Sequence, residues 1–403
     1  MTLLLIVYRS LRQHAFSTLV TAASLALAGG LLMSVWMVKA QAQQSFLRTT
    51  TAFDAVLGAR GSKLQLVLNS IFHLEASPGN LAWQDYEFIR RHPAVKTAIP
   101  IAVGDNLRGY RIVGTIPEMF SDVEYAPGRK YSFAPGGRVF NAEAKEAVVG
   151  SFAASRLGLK LGDTFHPFHG LAFDPSAQHA ELFKVVGVLE ATNTPLDRVI
   201  LIPIKGVQTM SGHDPRAATD ISAVLIKLRS PTAGFMLDIM INKQGNRLTF
   251  AYPVGAILAE LFDKISWFDR VLALVAYLVA LVASASVLAS IYNSMNARKR
   301  DIAILRALGA RRRLVFGAVV AESACIGALG ALAGFGVYCV LFEAVARVIR
   351  AQTGVVLSLG EFHPVLILAP AGLIVLCALG GVIPAVKAKA LPSSVLLAFI
   401  VID

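Results

Sequence analysis

Four histidines are the residues in this chain best suited to hold a metal. His166 and His169 lie close together, His179 follows nearby and His73 stands upstream. Three imidazoles can ligate zinc in a tetrahedral site. Pro167 bars a regular helix between the first two, and neither a cysteine nor a tight group of acids completes a shell nearby. The expectation is therefore of no metal site, with His73, His166, His169 and His179 as the candidates should one exist. Nucleophilic catalysis has no better footing. No local motif suggests a Ser/His/Asp set, and Gly-x-Ser-x-Gly is absent. The Gly-x4-Gly-Lys-Ser/Thr loop that cradles nucleotide phosphates is absent too. A non-catalytic chain is expected.

Three other groups carry chemistry of a different kind. Glu322 sits in a long apolar run, where a carboxylate is costly and often functional. Either it lies near the inner interface, about two turns past Arg313, and pairs with a basic residue, or it transmits motion. Gly327, Gly330 and Gly334, with Ala331, put small residues at helical spacing, which permits close helix approach. The facing helix is either in the same chain or the same span of a second copy. Between two apolar runs lies Asn296 to Arg313. Its bases are Arg298, Lys299, Arg300, Arg306 and Arg311 to Arg313, against the single acid Asp301. Ala303, Ile304, Ala307 and Leu308 form an apolar stripe, and Gly309 is placed to end the helix. Such a segment either anchors the chain on the cytoplasmic side or docks into a partner.

The elements that position these groups follow from composition. The 403 residues are 55% hydrophobic and 16% charged. That is too apolar for an ordinary soluble protein and too charged for an all-membrane one. The net charge of +12 invites a nucleic-acid reading, but much of the excess flanks apolar spans, so no nucleic-acid partner is expected. Four segments reach the roughly 20 residues needed to cross a bilayer. The expected order is a cytoplasmic N-terminus (1–15), a first span (16–38), an outer domain with a helical stalk (39–262) and a second span (266–292). A cytoplasmic loop (293–313), a third span (314–342), an outer loop (343–362), a fourth span (363–386) and a cytoplasmic C-terminus (387–403) follow. All three inner segments are basic, which agrees with the positive-inside rule. Ala40-Gln41-Ala42 resembles a signal-peptidase site, but the apolar run before it exceeds the about 7–15 residues of a signal peptide; retention as a membrane helix is expected. Pro370 should kink the fourth span.

The outer domain carries strand signals at Tyr110–Gly114, Glu146–Gly150, Phe183–Leu189, Val199–Pro203 and Ala223–Leu228. Each is short, rich in β-branched residues and bounded by Gly or Pro. Trp83 to Arg91 has helical spacing. Cys325, Cys339 and Cys377 all fall in apolar spans, so no disulfide framework holds the domain. The fold class is a four-helix membrane protein with a large α+β extracytoplasmic domain.

Arg298-Lys-Arg-Asp-Ile-Ala-Ile-Leu-Arg-Ala-Leu-Gly-Ala310 resembles the coupling-loop motif of the MacB/FtsX/LolC-type ABC transporter permeases. Glu322-Ser-Ala-Cys-Ile-Gly-Ala-Leu-Gly-Ala-Leu-Ala-Gly334 is similar to that family's Glu-plus-glycine third span, and Pro384-Ala385, Ala388 and Pro392 to its C-terminal pattern. Val113 to Phe120, Glu146–Gly150, Leu157–Asp163, Val185–Leu189 and Asp197–Pro203 resemble its periplasmic core domain. The apolar end Phe399–Asp403 departs from the basic tail common in the family. The resemblance implies a bacterial inner-membrane permease that binds no cofactor itself. Its partners would be a separate ABC ATPase carrying ATP and magnesium, a second permease copy or a paralogue, membrane lipid, and a periplasmic binding or fusion protein. No nucleotide-binding domain is fused, unlike in MacB. The resemblance assigns coupling to Arg298, Lys299, Arg300, Asp301, Ile304, Leu305, Arg306, Leu308, Gly309, Ala310 and Arg311. Transport is by mechanotransmission in this reading. Val56–His73 with Pro78-Gly-Asn80 resembles a branch linked to zinc-responsive systems. The cargo stays open among lipoprotein, peptide, drug and zinc-linked transport. An FtsX-like regulator of a cell-wall hydrolase and a membrane-anchored receptor without an ATPase are the rivals.

Overall fold

The computed structural model describes residues 3–49, 51–212, 219–297, 311–353 and 355–390. The chain forms two compact units, a helical one (Met1–Gln41, Ser266–Arg347, Ser358–Asp403) and an outer one (Ala42–Ile265, Val348–Leu357). The chain begins with α1 (Leu3–Gln13) and α2 (Ala15–Thr49). Next come β1 (Ala55–Ala59), α3 (Lys63–Ser70), β2 (Leu81–Ala82), α4 (Trp83–Arg90), β3 (Val95–Leu107) and β4 (Tyr110–Thr115). α5 (Glu118–Ser121), β5 (Glu124–Ala126), β6 (Arg129–Lys130), β7 (Glu146–Val149) and α6 (Ser151–Leu157) follow, then β8 (Thr164–Phe165), β9 (Phe168–His169) and β10 (Phe183–Val188). The outer unit is completed by β11 (Ile200–Pro203), α7 (Ile204–Gln208), β12 (Asp220–Ile221), β13 (Ala223–Leu228), α8 (Pro231–Asp238) and β14 (Leu248–Ala251). Three long helices end the described chain: α9 (Val254–Ala297), α10 (Arg312–Thr353) and α11 (Val365–Ala390).

The outer unit is built on one mixed ten-stranded sheet, in the order β14-β1-β13-β3-β4-β11-β7-β10-β8, with β9 paired to β3. β10 with β7 and β11 with β4 run parallel. Successive side chains of a strand point to opposite faces, and here both faces are covered. In β13, Val224, Ile226 and Leu228 enter one core while Ala223 and Leu225 enter the other. In β11, Ile200 and Ile202 face the first and Leu201 the second. Two buried faces explain why these strands read as unbroken apolar runs without polar alternation. The first face is closed by Tyr86 and Ile89 of α4, Ala153 of α6 and Val207 of α7. The second is closed by Leu66 and Val67 of α3, Phe120 of α5 and Leu258 near the start of α9. Each fully buried large side chain contributes about 1.5–3 kcal/mol.

Four described helices are long and apolar enough to cross a membrane, over Ala15–Phe46, Val254–Val282, Arg313–Thr353 and Val365–Ile383. The chain is thus a four-span membrane protein with a large α+β domain. The helices outrun the apolar segments. α2 continues well past residue 38 because Lys39 to Gln44 are adequate helix formers with no Gly or Pro among them. The expected stalk and second span are one helix, α9. α10 continues beyond 342 to Thr353, with Arg347 Nε 2.8 Å from Glu343 Oε1 on its surface. α11 is helical across Pro370. Residues 1–15, expected only as a cytoplasmic segment, contain the amphipathic α1.

Candidate functional sites

The outer unit brings together two of the four histidines. β3 carries a bulge between Val103 and Asp105, and beyond it Asp105 pairs with His169 of β9. His179 returns beside them, its N–H donating to the Pro167 carbonyl at 2.9 Å. His179 Nε2 lies 3.1 Å and His169 Nδ1 3.5 Å from Asp105 Oδ1. The Asp105 side chain is fully buried, that of His179 is 5% exposed and that of His169 57% exposed. One ligand atom from each of the three lies within 4.8 Å of the others. Sequence reasoning missed Asp105. The available signal was a lone acid inside the apolar run from Ala98 to Leu107, but only strand pairing carries it to His169.

The loop that holds these groups is clamped. Asn106, fully buried, donates from Nδ2 to the carbonyls of Gly170 at 2.8 Å and Ala172 at 3.1 Å. Gly170 N–H donates to the Gly104 carbonyl at 2.8 Å, and His169 N–H to that of Ala177 at 2.7 Å. His166 and His73 stand outside the cluster. His73 follows α3 in a left-handed conformation (φ 55°) and is buried. Burial, then the positive charges of Arg111 and Arg198, pushes its imidazole down to about 3. It lines a cavity of about 30 Å³ with Ile71, Ile101, Val113 and Tyr131.

In the helical unit Gly327, Gly330 and Gly334 of α10 face neighbours in the same chain. A Cβ on Gly327 would sit 2.9 Å from Cys377 Cβ of α11. On Gly330 it would meet Leu25 Cβ of α2 at 2.5 Å, and on Gly334 the Ala26 carbonyl oxygen at 3.3 Å. Gly30 answers from α2, where a Cβ would meet Val337 Cβ at 2.6 Å. The α2–α10 crossing therefore depends on missing side chains from both helices. Gly330→Leu should force them apart and lower the unfolding temperature in detergent by several degrees. Gly336→Leu, with nothing within 4 Å of its Cβ position, should change it little. Equal shifts for the two variants would refute the close crossing. Glu322 accepts a hydrogen bond from the Ser10 hydroxyl of α1, a partner that spacing alone did not indicate. Gln41 of α2 donates to the Ser358 carbonyl at 2.7 Å and accepts from its N–H at 2.8 Å.

Of the coupling residues, Arg298, Lys299, Arg300, Asp301, Ile304, Leu305, Arg306, Leu308, Gly309 and Ala310 lie outside the described residues. Arg311 is exposed directly before α10. The segment joins the end of α9 to the start of α10.

Residues 18–234, more than half of the chain, match the model of the MacB-like periplasmic core domain. Residues 273–392 match that of the FtsX-like permease C-terminal region. The periplasmic region of MacB from Actinobacillus actinomycetemcomitans is similar over 54% of this chain and 94% of its own, at 12% identity and a TM-score of 0.36. The extracellular domain of the noncanonic ABC-type transporter YknZ from Gram-positive bacteria is similar over 48% of this chain and 97% of its own, at 16% identity and a TM-score of 0.29. No curated protein matches the chain.

Proposed function

Because the chain belongs to the MacB/FtsX-type permease family of ABC transporters, we propose that it couples ATP hydrolysis on a separate ATPase subunit to work done at its outer domain. Two copies of the permease would pair with two ATPase chains in a bacterial inner membrane. ATP and magnesium belong to the ATPase. The segment from Arg298 to Arg311 docks into the ATPase, with Ile304 and Leu308 as its apolar contacts and Arg306 as a donor. Closure of the ATPases would then displace the joined ends of α9 and α10. Cargo is handled at the outer face, by mechanotransmission, and need not pass between the helices.

The observation that carries this reading is α9. It is one helix of 44 residues that starts just after β14 and ends where the basic segment begins. At 1.5 Å per residue that is roughly 66 Å, about twice the hydrocarbon thickness of a bilayer. A helix of that length conveys displacement along its axis without an intervening hinge loop.

The test is Arg306→Asp with Leu308→Asp, expressed with the cognate ATPase. The double variant should lose retention of the ATPase on the purified permease, or keep it and lose transport by at least tenfold. Normal retention together with normal transport would sink the coupling assignment.

A further inference from the structure

The Asp105, His169 and His179 cluster sets one ligand atom from each of three metal-ligating side chains within 4.8 Å of the others. His179 Nδ1 lies 2.7 Å from the Ser211 carbonyl oxygen. A carbonyl oxygen only accepts, so Nδ1 carries the ring hydrogen. The neutral ring then presents a lone pair at Nε2. That lone pair faces Asp105 Oδ1, a carboxylate oxygen that also only accepts, at 3.1 Å. Two acceptors at this distance need a positive charge between them. A proton or a cation supplies it for His179, and His169 Nδ1 approaches the same oxygen at 3.5 Å. A single cation would take a lone pair from each ring and from the carboxylate.

We propose that Asp105, His169 and His179 form a binding site for a divalent zinc-class ion on the outer domain, with a fourth position open to water. Zinc takes imidazole nitrogen and carboxylate oxygen at about 2.0–2.2 Å, so neighbouring donors in a tetrahedral shell lie roughly 3.3–3.6 Å apart. The two edges present, 3.1 and 3.5 Å, lie within about 0.2 Å of that range. The exposed His169 ring can swing to close the third. Calcium and magnesium take all-oxygen shells, and a pair of imidazoles selects the later first-row metals instead.

The surroundings are those of an ordered ligand set. Metal-binding histidines are oriented by a hydrogen bond from the ring nitrogen that does not touch the metal, and Ser211 provides it for His179. Ser211 is itself held, its N–H 3.0 Å and its hydroxyl 2.9 Å from the Glu181 carboxylate. Asn106, beside Asp105, fixes the loop that carries His169. The bound ion would tie the 166–179 loop to the bulge of β3. The site is independent of the coupling reading, and neither result bears on the other.

The experiment uses the full chain in detergent, freed of metal with a chelator and titrated with zinc by calorimetry and with cobalt(II) by visible absorption. Wild type should bind zinc at this site and, with cobalt, give the visible band of a four-coordinate ion. His169→Ala, a change at an exposed side chain, should weaken zinc binding at least tenfold and leave the unfolding temperature of the metal-free protein unchanged. Asp105→Asn should abolish the cobalt band, and His166→Ala should leave it intact. Equal zinc affinity for wild type and His169→Ala, or no four-coordinate cobalt band in wild type, would overturn the proposal and leave an imidazolium–carboxylate pair in its place.

Discussion

Gly150→Ala is expected to cost the outer domain roughly 3 kcal/mol or more, the upper end for an added methyl in a packed interior. Gly150 ends β7 and precedes α6, and its φ of −61° is open to any residue. Space is what it lacks. A Cβ would sit 2.5 Å from the carbonyl carbon and oxygen of Asp197, and backbone cannot rotate aside as a side chain can. Nor can that turn retreat. The Asp197 carboxylate accepts from Thr192 N–H at 3.1 Å, from the Thr192 hydroxyl at 2.8 Å and from Asn193 N–H at 2.8 Å. From the other side, Gly150 N–H donates to the Val199 carbonyl at 2.9 Å. Hydrogen exchange on the full chain should show β7 and β11 losing protection in the variant. Gly104→Ala, with open space at its Cβ position, should leave both strands protected. Retained protection in Gly150→Ala would mean that the turn yields after all.

The second large effect is a loss of stability in acid that traces to His73. Its folded imidazole titrates at about 3 and its unfolded one at 6.5. Between these values the unfolded chain takes up a proton that the folded chain refuses. The contribution is therefore intact above pH 6.5 and is lost as pH falls toward 3. At about 1.4 kcal/mol per pH unit, the loss approaches roughly 4–5 kcal/mol at the acid end. His73→Asn removes the titration and suits the left-handed backbone, where Asn is tolerated. Its stability measured from pH 7 to pH 4 should fall less steeply than that of wild type, by up to one proton's worth of slope. Parallel curves would show that His73 is not the group responsible.

What sequence pattern reveals here depends on how local the cause is. The five expected strands and the helix at Trp83 form, because each is a short run whose own composition favours it. β1 was hidden by Gly58, which breaks its short apolar run. In the fold Gly58 lies within the strand because the Leu66 side chain of α3 occupies the place of its Cβ; glycine in a strand marks such an approach. β3 was hidden by Pro100, Gly104 and Asp105, which interrupt its pattern. The four spans were evident from length alone, while their ends were not, since α2, α9 and α10 continue into polar residues with good helix propensity. The histidine cluster was half visible. His169 and His179 are near in sequence, but Asp105 joins them only through the register of β9 on β3, a long-range pairing with no local trace.

The strand that receives the chain from α2 and the strand that returns it to α9 are hydrogen-bonded neighbours, with Val56 opposite Ala251 and Gly58 opposite Thr249. Phe46 and Phe262 meet at 5.7 Å where the chain enters and leaves. In the language of evolution this is a cassette. A domain whose two ends lie side by side can be enlarged, trimmed or exchanged by recombination without moving the chain on either side of it. Selection on the outer domain and selection on the membrane helices can then proceed at separate rates within one gene.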